Sequence, residues 1–346
     1  MKTDPETDTQ RAIVDGIEVN LDEPCQLLPV EIPKPWGREI WYTGIEARGE
    51  SRVRVPDVDA DLPLSIYLAL APDHLTGGHT PVLLKILDPL PTPVIGELYL
   101  EVHESKQEVY VVTAVDPEAW PDGQGRIRYG INQARRQDFA DDDAFRAAFL
   151  EALEEYEAVR REIDAGVSGL AEREADARAA CLTFTDERHL QVGDVIRVPS
   201  WLPHSLQQGV RVVEFQTPTY ERFILSSSQK VLTQERWDSA HAVANMRLDT
   251  PEEPEPEPVG EHCERIVRFE DFGVWQARLN HGDRIKLPEA APYAVAFCIR
   301  GQVQLSGPET GLHLHAGEAA LIPAAAIGFG IQSDPNCLLL LAAPGL

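Results

Sequence analysis

Hydrophobic residues run together, or alternate with polar ones, in short segments over most of the chain after Leu27. Proline, glycine and aspartate separate these segments, which is the pattern of short β-strands joined by turns. The clearest segments span residues 82–87, 97–103, 108–113, 194–198 and 210–216. This density of strands predicts a mainly β protein arranged as a sandwich or a jelly-roll barrel.

One region follows a helical period instead. Between residue 141 and about residue 180, apolar side chains recur every three or four positions, which predicts an amphipathic helix. The apolar positions are Phe145, Phe149, Leu153, Tyr156 and Val159. The aspartates at 141–143 are suitable N-caps, and a second helix is expected after Ser168. We interpret residues 141–180 as a helical insert that lies on the barrel; the alternative is a hairpin that binds a partner.

A segment rich in proline and glutamate gives the clearest boundary. Residues 250–260 read TPEEPEPEPVG, and alternating Pro and Glu disfavour helix and strand while the carboxylates repel one another. A chain of 346 residues also suits two domains. We therefore predict an N-terminal extension at 1–26, a larger domain at 27–249, an extended linker at 250–260 and a smaller domain at 261–346.

The charge of the chain narrows the classes of partner. A formal net charge of −26 repels phosphate backbones and anionic lipid headgroups, so neither nucleic acid nor a membrane surface is an expected partner. A small anionic substrate would meet the same repulsion. Lysines and arginines near its site would then have to reverse the field locally, which makes them candidates for binding groups.

The N-terminal residues and the cysteines indicate the cellular compartment of the protein. No stretch approaches the ~20 apolar residues of a membrane span, and the N-terminal MKTDPETDTQ lacks the pattern of a signal peptide. The five cysteines lack CxxC spacing and are expected to be reduced thiols. We predict a cytoplasmic protein that is a monomer or a homodimer.

Four polar residues have the spacing of a metal site. In the strand predicted at 97–103, Glu101 and His103 point to one face while the leucines and the valine point to the other. Glu108 opens the next strand, which we predict to return antiparallel beside the first. His204 follows a third strand, five residues after Pro199.

The spacings Glu-Val-His-x4-Glu at 101–108 and Gly-x5-Pro-x4-His at 193–204 resemble the two metal-binding motifs of the cupin superfamily. The resemblance implies that Glu101, His103, Glu108 and His204 hold one metal ion inside a barrel. It also implies two cupin domains, with the helical insert in the first. Two histidines with one or two carboxylates suit Zn²⁺, the metal that we expect; Fe²⁺ or Mn²⁺ would also fit.

More narrowly, the chain is similar to type I mannose-6-phosphate isomerases. Those enzymes carry Gln-Val-His-Pro, then Lys-x-Glu, then Pro-His after a Gly-Asp strand; here Glu101 stands in place of the glutamine. Lys-Pro-Trp-Gly at 34–37 and Leu-Leu-Lys-Ile-Leu-Asp at 83–88 are further points of resemblance. The family implies interconversion of mannose 6-phosphate and fructose 6-phosphate through an enediol, with a sugar phosphate as the binding partner.

The resemblance also implies roles for residues around the metal. Arg222 matches a family arginine that faces the substrate, although Glu221 is inserted before it. Glu214 matches a family glutamate and Lys106 lies beside the ligands, so both are candidates for the general base. Solvated strand-end charges are the alternative for Arg222 and Lys106.

Three further residues are candidates for substrate contact. Lys230 ends a Ser-Ser-Ser-Gln-Lys run that could supply donors to a phosphate. Lys85 is either a binding group or a lysine that extends to the surface, and Trp36 is either a sugar platform or a packing residue.

The C-terminal part repeats the glycine-to-proline turn at 317–323, but Gly328 stands where the metal histidine would be. The second cupin is therefore expected to lack a metal. Cupins also include binding proteins and oxygenases. A carbohydrate-binding or regulatory cupin that keeps its metal, and an iron-dependent oxygenase, remain the alternatives to an isomerase.

Overall fold

The computed structural model describes residues 10–14, 17–54, 61–92, 100–226, 237–253, 255–285, 291–328 and 330–345. The protein is mainly β, as the sequence predicts. Within the described ranges, no helix has both the length and the apolar composition needed to cross a membrane.

Strands are the most common elements of the described residues. Those before the first helix are β1 Arg11–Val14, β2 Ile17–Asn20, β3 Cys25–Leu28, β4 Val30–Lys34, β5 Gly37–Trp41, β6 Ile45–Glu46, β7 Gly49–Glu50, β8 Arg52–Arg54 and β9 Asp61–Pro63. Those up to residue 226 are β10 Leu83–Pro89, β11 Leu100–Val102, β12 Glu108–Val115, β13 Gly125–Ile131, β14 Thr185–Leu190, β15 Val195–Val198, β16 His204–Leu206, β17 Val210–Gln216 and β18 Phe223–Ser226. The remainder are β19 Glu257–Pro258, β20 Cys263–Arg268, β21 Phe272–Leu279, β22 Arg284–Ile285, β23 Tyr293–Arg300, β24 Gln302–Ser306, β25 Gly311–His315, β26 Ala319–Pro323, β27 Ile331–Ser333 and β28 Cys337–Pro344.

Helices are fewer than strands among the described residues, and two of them are longer than any strand. They are α1 Leu64–Leu70, α2 Pro72–Thr76, α3 Gln133–Arg136, α4 Asp142–Asp164, α5 Ala171–Leu182, α6 Ser239–Asn245 and α7 Ala324–Ile327. The predicted amphipathic helix is confirmed as α4: all five apolar positions are buried, and the Asp141 carboxylate accepts a hydrogen bond from the backbone N–H of Ala144. The second helix, predicted after Ser168, is α5.

Four of the sheets, together with helices α4, α5 and α6, form layers that share apolar cores. The six-stranded sheet, in the order β15-β12-β17-β10-β5-β4, shares one core with the five-stranded sheet, β14-β13-β16-β11-β18. Its other face packs against the nine-stranded sheet of the C-terminal part. The helices α4, α5 and α6 cover the outer face of the five-stranded sheet, and a four-stranded sheet covers the far side of the nine-stranded one.

Strands of the six-stranded sheet are therefore buried on both faces. In β10, Leu84 and Ile86 pack towards the nine-stranded sheet, whereas Leu87 packs towards the five-stranded sheet. A strand that is buried on both faces has a continuous apolar run in its sequence. This explains the apolar run interrupted by Lys85, whose side chain lies on the same face as Leu87.

The N-terminal strands join the C-terminal sheet. The nine-stranded sheet has the order β19-β20-β21-β28-β23-β26-β3-β8-β9, and Cys25 to Leu27 pair with Leu321 to Ala319. The sheets therefore do not divide the chain at one point, and the boundaries at 26 and at 250–260 stay a proposal. Within the segment predicted to be an extended linker, Glu257 and Pro258 pair with Arg265 and Glu264, because an edge strand tolerates a proline that cannot donate to the ladder.

Candidate metal centre

The polar cluster lies between the six-stranded and five-stranded sheets. Leu100 and Val102 of β11 pack against the helices, and the alternation of a strand turns Glu101 the opposite way. His103 follows immediately after the strand and is buried. The shared face of Glu101 and His103, predicted from the sequence, is confirmed by this packing.

His204 completes a group of three ligand-type side chains. It opens β16, directly opposite Glu101 in the ladder between β11 and β16, and its ring centroid lies 5.0 Å from that of His103. One ligand atom from each of Glu101, His103 and His204 lies within 4.8 Å of the others. His204 thus meets Glu101 and His103, about 100 positions earlier in the chain, because strands β11 and β16 are neighbours.

Glu108 reaches the cluster from the facing sheet. Its Oε1 lies 3.4 Å from His103 Nε2, and its Oε2 lies 3.3 Å from His204 Nε2. The prediction that its strand returns beside β11 is wrong: β12 pairs with β15 and β17, whereas β11 pairs with β16 and β18. The short link at 103–107 carries the chain from one sheet to the other, and side-chain alternation cannot distinguish this corner from a hairpin.

The hydrogen-bond partners of the histidine ring nitrogens leave nitrogens available to a metal ion. The Nδ1–H of His204 donates to the Leu202 carbonyl at 2.9 Å, which leaves Nε2 as the lone-pair nitrogen that faces the cluster. Among the described residues, His204 Nε2 and both ring nitrogens of His103 are buried without a hydrogen-bond partner. Buried polar atoms without a partner are costly, and a divalent ion would satisfy them. The donor set of two imidazoles and two carboxylates therefore fits such an ion.

The surroundings favour an ionised Glu108 and shift the pKa values of the two histidines in opposite directions. Burial alone would raise the pKa of Glu108, but Lys106 and the two histidines lower it well below its usual range. Burial and the Lys106 charge lower the pKa of His103 well below its usual value. Burial would also lower the pKa of His204, yet its contact with Glu108 raises that pKa overall.

Two cations lie against the carboxylates. Lys106 Nζ is 2.5 Å from Glu108 Oε1, and Arg222 Nε is 3.6 Å from Glu101 Oε2. The two cations thus compensate both carboxylates. One of these is Glu101, which stands where the isomerases that the sequence resembles carry a glutamine. A bound divalent ion would leave the centre with net positive charge, although the chain as a whole is strongly acidic.

A second buried charge group lies in the same interior. Lys85 Nζ is 3.2 Å from Glu214 Oε1, and the two residues face each other across β10 and β17. Sequence reasoning missed Glu39, which accepts a hydrogen bond from Trp41 Nε1 at 2.7 Å and lies 3.2 Å from Lys34 Nζ. Its position in the same Lys-Pro-Trp-Gly-x-Glu stretch was the available signal.

The three groups differ in protonation. Burial would raise the pKa of Glu39, but Lys85 and Lys34 lower it overall. Burial would lower the pKa of Lys85, but Glu214 and Glu39 raise it overall. Burial dominates at Glu214 and raises its pKa well above the usual range, although Lys85 opposes the shift. The surroundings thus favour the charged forms of Lys85 and Glu39, whereas burial favours the protonated form of Glu214.

Glu221 is the other residue that sequence reasoning missed. In the sequence pattern it stands only as an inserted residue before Arg222. Its carboxylate accepts hydrogen bonds from the backbone N–H groups of Glu104 and Ser105 and from the Ser105 hydroxyl. It therefore ties the segment that carries Arg222 to the loop between His103 and Glu108.

The remaining candidates lie elsewhere. Trp36 is buried in the apolar core between the two sheets, beside Leu87, which supports packing as its main role. Lys230 lies outside the described residues.

Comparison with known proteins gives a likeness in structure alone. No family model matches the sequence, and no curated protein matches it in sequence. Among solved structures, the mannose 6-phosphate isomerase from Bacillus subtilis matches 92% of this chain and 99% of its own, with a TM-score of 0.65 at 17% identity.

Two further structures give the same result. A single-residue variant of phosphomannose isomerase from Salmonella typhimurium matches 94% of this chain and 100% of its own, with a TM-score of 0.70 at 16% identity. A zinc-bound mannose 6-phosphate isomerase covers the same shares, with a TM-score of 0.68 at 14% identity. The chain therefore has the fold of these enzymes over nearly its whole length, and the recognition made from the motifs is confirmed at the level of the fold.

Proposed function

We propose that this chain is a metal-dependent sugar-phosphate isomerase that interconverts mannose 6-phosphate and fructose 6-phosphate. One observation carries the proposal: two buried histidines converge with two carboxylates that are each compensated by a cation. The arrangement occurs in the fold of enzymes described as mannose 6-phosphate isomerases, one of them zinc-bound.

Glu101, His103, Glu108 and His204 are the residues that would hold the ion, and Zn²⁺ is the metal that we propose. When bound, a divalent cation polarises the carbonyl and hydroxyl oxygens of a sugar and so stabilises the charge that develops in an enediol. Because the four side chains and their cations are neutral together, the ion also supplies the positive field that draws an anionic phosphosugar into an acidic protein.

The chain's own residues would move the proton between adjacent carbons of the sugar. Glu214 is a suitable general base or acid because burial raises its pKa well above the usual range of a glutamate. Lys106 is the alternative, since its ammonium group lies beside the metal ligands. Arg222, held against Glu101, would orient the substrate and stabilise the enediolate. Lys85 would keep Glu214 positioned, and Lys230 remains a candidate for the phosphate.

The wider organisation belongs to the same proposal. We propose two cupin domains, with α4 and α5 as the insert of the first and no metal in the second. We also propose a cytoplasmic monomer or homodimer.

The first experiment is a coupled assay for interconversion of mannose 6-phosphate and fructose 6-phosphate. Protein freed of metal is restored with Zn²⁺, Mn²⁺, Fe²⁺ or Co²⁺ in turn. Turnover that depends on the metal supports the proposal and identifies the cation. Tight metal binding without turnover by any cation would instead favour a carbohydrate-binding or regulatory cupin.

Two variants test the metal centre directly. His103→Ala and His204→Ala each remove one nitrogen ligand, and we expect each to lose at least tenfold in metal affinity. Cys298→Ser, in the C-terminal part, is the control and should retain its metal. Full metal content in both histidine variants, measured by elemental analysis, would contradict the site.

An iron-dependent oxygenase is the second candidate, and one observation favours it. Two histidines and the Glu101 carboxylate converge as three ligands, the set found in non-haem iron oxygenases. Oxygen uptake that requires Fe²⁺, with no isomerisation, would support this alternative.

A further inference from the structure

A cleft lies between residues 107–247 and the C-terminal residues 268–345. It has a volume of about 700 Å³, and the residues that line it include Gln107, Pro199, Ser200 and Phe269. This size suits a small molecule. Gln107 directly precedes Glu108, so the cleft adjoins the loop that leads to the metal centre, whereas none of the four proposed metal ligands lines it.

Three arginines from three different elements converge on this cleft. Arg197 comes from the edge strand β15, Arg268 ends β20, and Arg247 follows α6. Glu270 also lines the cleft, and Asp249 pairs with Arg247. Three arginines against the two carboxylates of Glu270 and Asp249 leave one excess positive charge at the cleft, in a chain whose net charge is −26. A local excess of this sign favours anions.

Arg197 is the best positioned of the three. Its guanidinium carbon lies 5.1 Å above the centre of the Phe269 ring, which fixes the plane of the group. Considering only the part of the chain that the structure describes, Arg197 Nε is buried and has no hydrogen-bond partner. The guanidinium of Arg197 lines the cleft, where its planar set of N–H donors fits the oxygens of a phosphate group.

The walls of the cleft are continuous with the loops of the metal centre. Pro199 and Ser200 begin the segment that ends at His204. The Trp201 N–H donates to the His103 carbonyl at 2.6 Å, and the Arg247 N–H donates to the Trp201 carbonyl at 2.8 Å. A ligand in the cleft would therefore contact segments that are hydrogen-bonded to the metal loops.

We propose that this cleft is a second binding site, outside the metal centre, for a small phosphorylated anion. The test is titration calorimetry of the full chain with inorganic phosphate, at constant ionic strength maintained with chloride. We expect saturable binding. Arg197→Gln should weaken it at least tenfold, and Arg247→Gln should weaken it less because Asp249 already pairs with that arginine.

Two controls separate the cleft from other sites. Arg173→Gln in α5 makes the same change of charge at an exposed arginine that pairs with Glu155, and it should bind phosphate as the unaltered chain does. His204→Ala removes a residue of the metal centre and should also retain the binding. Retention there supports the cleft whether or not the chain proves to be an isomerase.

Two outcomes would overturn the proposal. One is phosphate binding that is unchanged in both Arg197→Gln and Arg247→Gln; the other is its loss in His204→Ala, which would assign the phosphate to the metal centre. Arg247→Gln keeps the test valid if Arg197→Gln loses its fold, which circular dichroism would reveal.

Discussion

Charge compensation between the six-stranded and five-stranded sheets is arranged residue by residue. Glu108 is matched by Lys106, Glu101 by Arg222, and Glu39 by Lys34 and Lys85. Buried charges of this kind add little net stability, yet removal of one partner leaves an uncompensated charge in a medium of low polarity. The cost of a substitution therefore depends on which member of a pair is removed.

Lys85→Met should destabilise the protein by about 3 kcal/mol, because it leaves Glu39 and Glu214 without the ammonium group between them. Urea unfolding measures the change. Adding Glu39→Gln to Lys85→Met should restore part of the loss, since the ionised carboxylate is then gone as well. Equal stability of Lys85→Met and the unaltered chain would show that the buried pair is not formed.

The raised pKa of Glu214 predicts a dependence on pH with a definite sign. Because the folded state holds this proton more tightly than the unfolded state, the contribution of Glu214 to stability is fully present below about pH 4.3, the ordinary pKa of a glutamate. It is lost as the pH rises through the higher pKa of the folded state. The free energy of unfolding, relative to that of Glu214→Gln, should therefore fall between pH 5 and pH 8.

Urea unfolding of both proteins over that pH range measures the difference. Glu214→Gln keeps the shape of the neutral acid, so its stability near pH 5 should lie within about 1 kcal/mol of the unaltered chain. A difference that is constant over the range would mean that the pKa of Glu214 is not raised.

At the scale of elements, the loop at 103–107 joins two facing sheets, with His103 at its start and Glu108 directly after its end. Glu221 holds this loop through two backbone N–H groups and one hydroxyl. Burial would raise the pKa of Glu221, but these hydrogen bonds lower it overall. The residue therefore acts as an ionised clamp between β18 and the metal loop.

Glu221→Ala should weaken metal binding by about tenfold, because residues that orient metal ligands contribute on that order. Glu221→Gln should recover part of the affinity, since its side-chain oxygen still accepts a hydrogen bond. Glu104→Gln makes the same change of charge within the loop without removing the clamp, because Glu221 holds the backbone of residue 104. Competition with a chromophoric chelator measures all three, and equal losses in Glu221→Ala and Glu104→Gln would reduce the effect to charge.

At the scale of the whole molecule, the two halves of the chain share one sheet. Strands β3, β8 and β9 extend the nine-stranded sheet beyond β26, and Arg11 pairs with Glu309 across the same region. Without the N-terminal strands, β26 would be an exposed edge with unpaired backbone groups and uncovered apolar side chains.

A fragment of residues 255–346, produced alone, should therefore fail to form a stable native fold. We expect it to aggregate, or to lack the near-ultraviolet circular dichroism that a fixed Trp275 gives. Adding residues 10–92 as a separate chain should restore part of that signal, because they supply β3, β8 and β9. A cooperative thermal transition in the fragment alone would show that the C-terminal sheet does not need them.

The sequence by itself determined the features that depend on local order. The amphipathic period gave α4 with all five buried positions, and alternation placed Glu101 and His103 on one face, because side-chain direction follows directly from a regular backbone. The spacing of four ligand-type residues selected a fold that the comparison of structures confirms.

Only the tertiary structure decided how distant segments meet. The sheet that holds Glu108, the pairing of β3 with β26, and the partners of Glu39, Glu221 and Arg197 all depend on contacts between strands far apart in sequence. Local sequence preferences do not determine which strands pair, since a hairpin and a corner between sheets are both compatible with the same alternation of side chains. The chemistry of the site therefore comes from local patterns, and its electrostatic balance comes from the packing of the sheets.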